Sequence, residues 1–207
     1  MSAAARESVN FFAMSSGPTE RTALKEWAVL VDAMSRGDVV AMVRKGGIRE
    51  QRAGFHVRHD RFLLYPTYFH EKAVEVAPRF VPTLDAAHSR RPPEGVVRLE
   101  YVADVAAVWD VSELERLRAI EREHGLAWPA VESRFNYKNR PGVQVVAVRL
   151  SRLPAAVDVA EQRRYAGCVS WVELSDDVPV LGAMPVVREP EFGERLAALA
   201  AALGAPE

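Results

Sequence analysis

The chain has 207 residues, 49% of them hydrophobic and 27% charged, with a formal net charge of −1. This fits a globular protein and gives no global pull toward nucleic acid, and no apolar run approaches the roughly 20 residues that a membrane helix needs. The single cysteine, Cys168, excludes an internal disulfide framework and suits a reducing cytoplasm.

Residues 1–20 lack the basic start and apolar core of a secretory signal, so they are expected to form a flexible leader, with Phe11 and Phe12 able to dock on the body. Leu24, Trp27, Ala28, Val31 and Met34 then fall on one helical face. Thr22 is the candidate N-cap and Gly37 the left-handed stop. Val39-Val40-Ala41-Met42-Val43 is a short apolar run, expected as a buried strand packed on Trp27. It runs into Arg44-Lys45-Gly46-Gly47, two cations followed by two glycines, a combination suited to gathering donors around an anion. Arg61-Phe62-Leu63-Leu64-Tyr65 predicts a strand ending at Pro66. The aromatic turn Tyr65-Pro66-Thr67-Tyr68-Phe69-His70-Glu71 follows. His56, His59 and His70 match no metal-ligating spacing, so neither a metal nor a cofactor is expected.

Pro78, Pro82, Pro92 and Pro93 mark an irregular connector. On that basis the chain divides into a leader (1–20), a helix–strand unit (21–91) and an α+β unit (92–207) packed on it, or else continuous with it. Val96-Val97-Arg98-Leu99-Glu100-Tyr101 alternates as a strand, with apolar character continuing to Trp109. Ser112-Glu113-Leu114-Glu115 has the capping-box pattern and predicts a helix stopping at Gly125. In residues 134–138 aromatics alternate with polar residues, which suits a half-buried strand or a stacking platform beside phosphate contacts. A second buried strand is expected over 143–150 and another over 165–174. Phe192, Leu196, Leu199, Ala200 and Leu203 predict a closing helix that ends at Gly204.

Charge is distributed unevenly. Residues 44–61 hold six cations (Arg44, Lys45, Arg49, Arg52, Arg58, Arg61) against two acids. Residues 134–152 hold five (Arg134, Lys138, Arg140, Arg149, Arg152) and no acid. If the two segments share a face, that face is a basic patch on a near-neutral protein.

Several blocks together resemble the bacterial family called domain of unknown function 1802. They are Leu24-Lys25-Glu26-Trp27, Val43-Arg44-Lys45-Gly46-Gly47-Ile48-Arg49-Glu50, Phe62-Leu63-Leu64-Tyr65-Pro66-Thr67-Tyr68-Phe69-His70-Glu71, the cations Lys138 and Arg140 ahead of a strand ending Val148-Arg149-Leu150, and Tyr165-Ala166-Gly167-Cys168-Val169-Ser170-Trp171-Val172-Glu173-Leu174. The family commonly has Gln where this chain has Glu71. The resemblance implies a cytoplasmic bacterial protein and supplies no activity.

The expected architecture is α+β, with a mixed or antiparallel sheet flanked by helices and a second half similar in outline to a PUA-type barrel. The expected function is a binding module for nucleic acid or another phosphate-bearing ligand. Arg44, Lys45, Lys138, Arg140 and Arg149 are its candidate anion contacts, and Tyr65, Tyr68, His70 and Tyr137 its neighbouring aromatic and imidazole faces. Two alternatives stand beside it. One is a metal-dependent nuclease or phosphoesterase using Glu26, Glu50 and Lys45; the other is a protein-interaction domain with no small ligand. Cys168 is expected as a packed apolar residue rather than a nucleophile.

Overall fold

The computed structural model describes residues 18–45, 57–69, 71–167 and 169–206. Its frame is a mixed sheet of seven strands flanked by five α-helices among the described residues. The strands are β1 (Thr19–Trp27), β2 (Ala41–Arg44), β3 (Arg61–Thr67), β4 (Val96–Val111), β5 (Val143–Ala160), β6 (Trp171–Pro179) and β7 (Met184–Pro185). The helices are α1 (Ala28–Ser35), α2 (Leu84–Ser89), α3 (Leu114–Ala119), α4 (Trp128–Phe135) and α5 (Glu191–Leu203). The strand order is β2-β5-β4-β3-β1-β6, with β7 added on β5. Among the described strands, β1 and β3 pair in parallel and the other pairs are antiparallel. Strands from both sides of residue 91 share this sheet. Its end strands, β2 and β6, do not pair with each other among the described residues, so the sheet is open and the second half makes no closed barrel.

The first helix begins later than its periodicity suggested. Residues 19–27 are strand β1, and Ala23 and Leu24 point to opposite faces, each into a different apolar cluster. Leu63 and Leu64 of β3 divide in the same way, so these two central strands are buried on both sides. Helix α1 starts directly at Ala28 and ends as expected at Gly37, whose φ of 77° is the left-handed conformation that glycine adopts without strain. Glu71 supports the start of α1, accepting the backbone N–H of Val29 at 3.3 Å, where a carboxylate also suits the positive helix end. Trp27, the last residue of β1, is only partly buried against the larger cluster, whereas Val39 to Val43 lie within it.

The long strands β4 and β5 serve both clusters by means of bulges. In β4, Val97, Leu99 and Val102 face the smaller cluster while Tyr101 and Ala103 face the larger one. A parity change of this kind requires an irregularity, and the register shifts between Leu99 and Tyr101.

Four further expectations are corrected. Ser112 makes no capping bond, and α3 starts at Leu114 and closes at Ala119, well before Gly125. The proline-rich connector folds into a 3-10 turn (Pro78–Thr83) and α2. The alternating segment around Phe135 is no strand but the end of α4 followed by the 3-10 turn Tyr137–Asn139. Pro129 in the first turn of α4 is a helix-start signal that the alternation overrode. The 165–174 strand begins only at Trp171, and Tyr165 closes a preceding 3-10 turn. The closing helix α5 lies where expected.

Candidate functional site

The C-terminal ends of the parallel pair β1 and β3, the end of β2 and the last turn of α4 surround a cleft of about 510 Å³. Its walls include Lys25, Glu26, Trp27, Arg44, Lys45, Thr67, Phe69, Ser133, Arg134 and Tyr137. The described lining residues therefore set four cations against one carboxylate.

Glu26 is 4% exposed, and both of its carboxylate oxygens are engaged. One accepts the Trp27 backbone N–H at 2.9 Å and the other the Arg44 guanidinium at 3.0 Å. Arg44 also donates to the Lys25 carbonyl at 3.2 Å, so this cation is held in place by the β1 backbone. Arg134 is different. It donates to the Val43 carbonyl at 2.8 Å and lies 5.1 Å from the centre of the Trp27 ring, yet it forms no ion pair among the described residues. Burial, along with the charge of Arg44, pulls its pKa below the usual value, while Glu26 opposes the shift. An arginine remains charged even so.

Lys45 acts as a tie. Its ammonium donates to the carbonyls of Phe135, Arg140 and Gly142, which uses all three protons. A cation on the Phe135 carbonyl also suits the negative end of α4. Burial, and then the charge of Arg140, lower its pKa from the usual lysine value. This tie brings the two acid-poor segments together. Lys45 therefore contributes charge to the cleft while its donors are spent on backbone. On the far rim, Tyr137 is 40% exposed and the Lys138 ammonium stands 5.3 Å from its ring centre. Lys138 and Asn139 both take left-handed backbone angles (φ 56° and 55°), and for a lysine this is a strained conformation.

The remaining sequence candidates are scattered. Arg140 is exposed and meets the cleft through its carbonyl, which receives Lys45. Arg149 lies elsewhere, paired with Glu189 and 4.2 Å from the Phe192 ring centre. Tyr65 is 2% exposed within the smaller cluster, its hydroxyl donating to Glu161 at 3.3 Å, so its ring faces are occupied by packing. Burial and then Glu161 push its pKa up. Tyr68 lines a smaller hollow next to the cleft, edge-on to His88. His70, Gly46, Gly47, Glu50 and Cys168 lie outside the described residues, as do Phe11 and Phe12. No group of three or more His, Cys, Asp or Glu among the described residues could hold a metal ion.

A profile described as domain of unknown function (DUF1802) matches residues 23–198, nearly the whole described chain. The chain belongs to the DUF1802 family. The match contains every wall of the cleft, from Lys25 on β1 to Ser170 ahead of β6. A comparison with curated proteins gives no match. Among solved structures, an ASCH protein from Zymomonas mobilis is similar at 12% identity, over 86% of this chain and 94% of that one, with a TM-score of 0.42. That likeness is too distant to build on, so the chemistry of this DUF1802 member has to be argued from its own cleft.

Sequence reasoning missed Lys25, Thr67, Phe69 and Ser133, and placed Trp27 in the core. No sequence signal marked them, because it is the parallel pairing of β1 and β3, set by residues far apart in the chain, that brings Lys25, Thr67 and Phe69 to one edge of the sheet.

Proposed function

We propose that this protein is a binding module for phosphate-bearing ligands, nucleic acid foremost, and that the cleft is where they bind. The observation that carries this is Arg134, a cation in no direct ion pair among the described residues, beside an aromatic face and two further cations whose backbone ties hold them in place. A preorganised charge of this kind costs little to recruit, and a planar guanidinium suits the paired oxygens of a phosphate. The volume falls in the range of ligand sites, roughly 300–1,000 Å³. The rim turn at Lys138 adds supporting evidence, since strained backbone gathers at functional sites. The nuclease alternative gains nothing from Glu26, whose two oxygens are already engaged.

The test is binding of a fluorescent oligonucleotide to the full chain across a salt series. Wild type should bind at low salt and weaken as salt rises. Arg134→Gln should reduce the slope of log K against log salt by about one, since one phosphate contact is lost. Arg149→Gln, which removes a cation already neutralised by Glu189, should leave the slope unchanged. Equal effects of the two substitutions would mean that only diffuse charge is read, and absence of binding at low salt would end the proposal.

A further inference from the structure

We infer that the ligand is a single-stranded nucleic acid, one of whose bases stacks on Phe69 where the cleft meets a second hollow. This rests on the phosphate-binding reading above and specifies its ligand class. Phe69 follows the end of β3 and is 60% exposed, an unusual position for a phenyl ring beside a charged cleft. It lines both the cleft and the smaller adjoining hollow of about 40 Å³, as does Thr67, so it forms the divide between them. The Arg91 guanidinium stands 4.9 Å from the Phe69 ring centre and 5.4 Å from that of Tyr68. Arg91 has no ion pair among the described residues, whereas Arg98 in the same hollow is paired with Asp158.

Exposed ring, guanidinium and cationic cleft together offer one π face and two places for a chain to continue. A base in a duplex has both faces covered by its neighbours, so only an unpaired base can use Phe69. The cleft is also of small-ligand size, and a duplex could rest only on its mouth. The second hollow includes Glu94 and Glu161, so its field does not favour a phosphate. Phosphates therefore belong on the Arg134 side, with the base turned toward Phe69, where the carboxylates can accept from amino groups on its edge. A mononucleotide can fill the cleft but cannot extend past the Phe69 divide, so a strand of several nucleotides gains contacts that the monomer lacks.

The experiment compares a labelled six-nucleotide single strand, the same strand annealed to its complement, a mononucleotide and inorganic tripolyphosphate, all against the full chain at low salt. The single strand should bind at least tenfold more tightly than the duplex or the mononucleotide. Phe69→Ala should weaken the single strand roughly tenfold and Phe69→Tyr should restore it. Tripolyphosphate binding should be the same in all three proteins, which also verifies that the exposed substitution leaves the fold intact. Tripolyphosphate binding without single-strand preference, or a single strand indifferent to Phe69→Ala, overturns this inference alone. Failure of every phosphate probe overturns the phosphate-binding reading as well.

Discussion

Two arginine–glutamate pairs sit in different surroundings. Arg44 and Glu26 meet at 3.0 Å in the wall of the cleft, their side chains 13% and 4% exposed. Arg149 and Glu189 meet on the outer surface beside α5, 32% and 56% exposed. Both arginines come from acid-poor stretches of sequence, and both stretches suggested anion contacts. At the surface the carboxylate neutralises the arginine in high dielectric, and little charge remains to offer a ligand. In the cleft, one buried carboxylate faces Arg44 while Arg134 and Lys45 stand nearby, so among the described lining residues the cations outnumber the acids. Local cation density in the sequence therefore marks a site only where the fold withholds the matching acids.

The sharpest way to break this comparison is to remove each acid in turn. Glu26→Ala removes the buried carboxylate that faces Arg44 in a poorly solvated wall, and should cost about 3–5 kcal/mol in urea unfolding. Glu189→Ala frees an arginine that water can reach and gives up the Gly193 N–H that the carboxylate accepts in the first turn of α5, so it should lower the unfolding midpoint only slightly. If the two variants unfold alike, the cleft wall is more hydrated than its geometry indicates.

A pH series contrasts the same two regions. His124 is 1% exposed beneath the cleft, next to a cavity of about 10 Å³ that it shares with Glu26 and Arg134. Its Nδ1 accepts the Leu126 N–H at 3.3 Å, and its Nε2 has no partner among the described residues. Burial, reinforced by the Arg79 charge, pushes its pKa down to about 4. The folded value thus lies below the unfolded one. Between about pH 6.5 and pH 4 the unfolded chain binds the extra proton, and stability falls as pH falls, by about 3 kcal/mol in all. His124→Asn should flatten this window in the difference between variant and wild type. Glu189 has its pKa lowered by the Arg149 hydrogen bond, and its contribution is lost only below the ordinary carboxylate range. Identical pH profiles for wild type and His124→Asn would show that the imidazole titrates alike in the folded and unfolded chain, and so is not held neutral by burial.

How much of this was legible in the sequence depended on whether the deciding contact was local. Gly37, the apolar runs of β2, β4 and β5, and the stripe of α5 are specified by neighbours within a few residues, and they appear where the pattern put them. Strand β1 was misread because Leu24, Trp27 and Ala28 do fall at helical spacing. Its strand state is fixed by pairing with Leu63 to Thr67 and with β6, both far away in the chain. The same holds for charge. The sequence shows that Arg149 has no acid within its own stretch, but its partner Glu189 lies 40 residues on, across the β5–α5 packing. Lys45 looked like a free anion contact beside a glycine pair, and the three carbonyls that receive it come from α4 and the turn after it. Phe69 sat in a recognised aromatic turn, yet only the parallel pairing of β1 and β3 brings that turn to the cleft.

The smallest expected effect concerns the rim. Lys138 holds φ 56° and ψ 32°, a conformation that crowds its Cβ against the carbonyl, and its side chain makes no hydrogen bond among the described residues. The neighbouring Asn139, also left-handed, is a residue type that tolerates this region. Glycine at 138 removes the crowding but adds freedom to the unfolded chain, so Lys138→Gly should gain only about 0.5–1 kcal/mol in urea unfolding. The same substitution removes a cation from the rim, and oligonucleotide binding at low salt should weaken modestly while stability rises. A gain in stability with reduced binding is the pattern expected when backbone strain is retained for a site. A loss of stability would instead show that the lysine stem, packed along Tyr137, holds the turn in place and that the rim is structural.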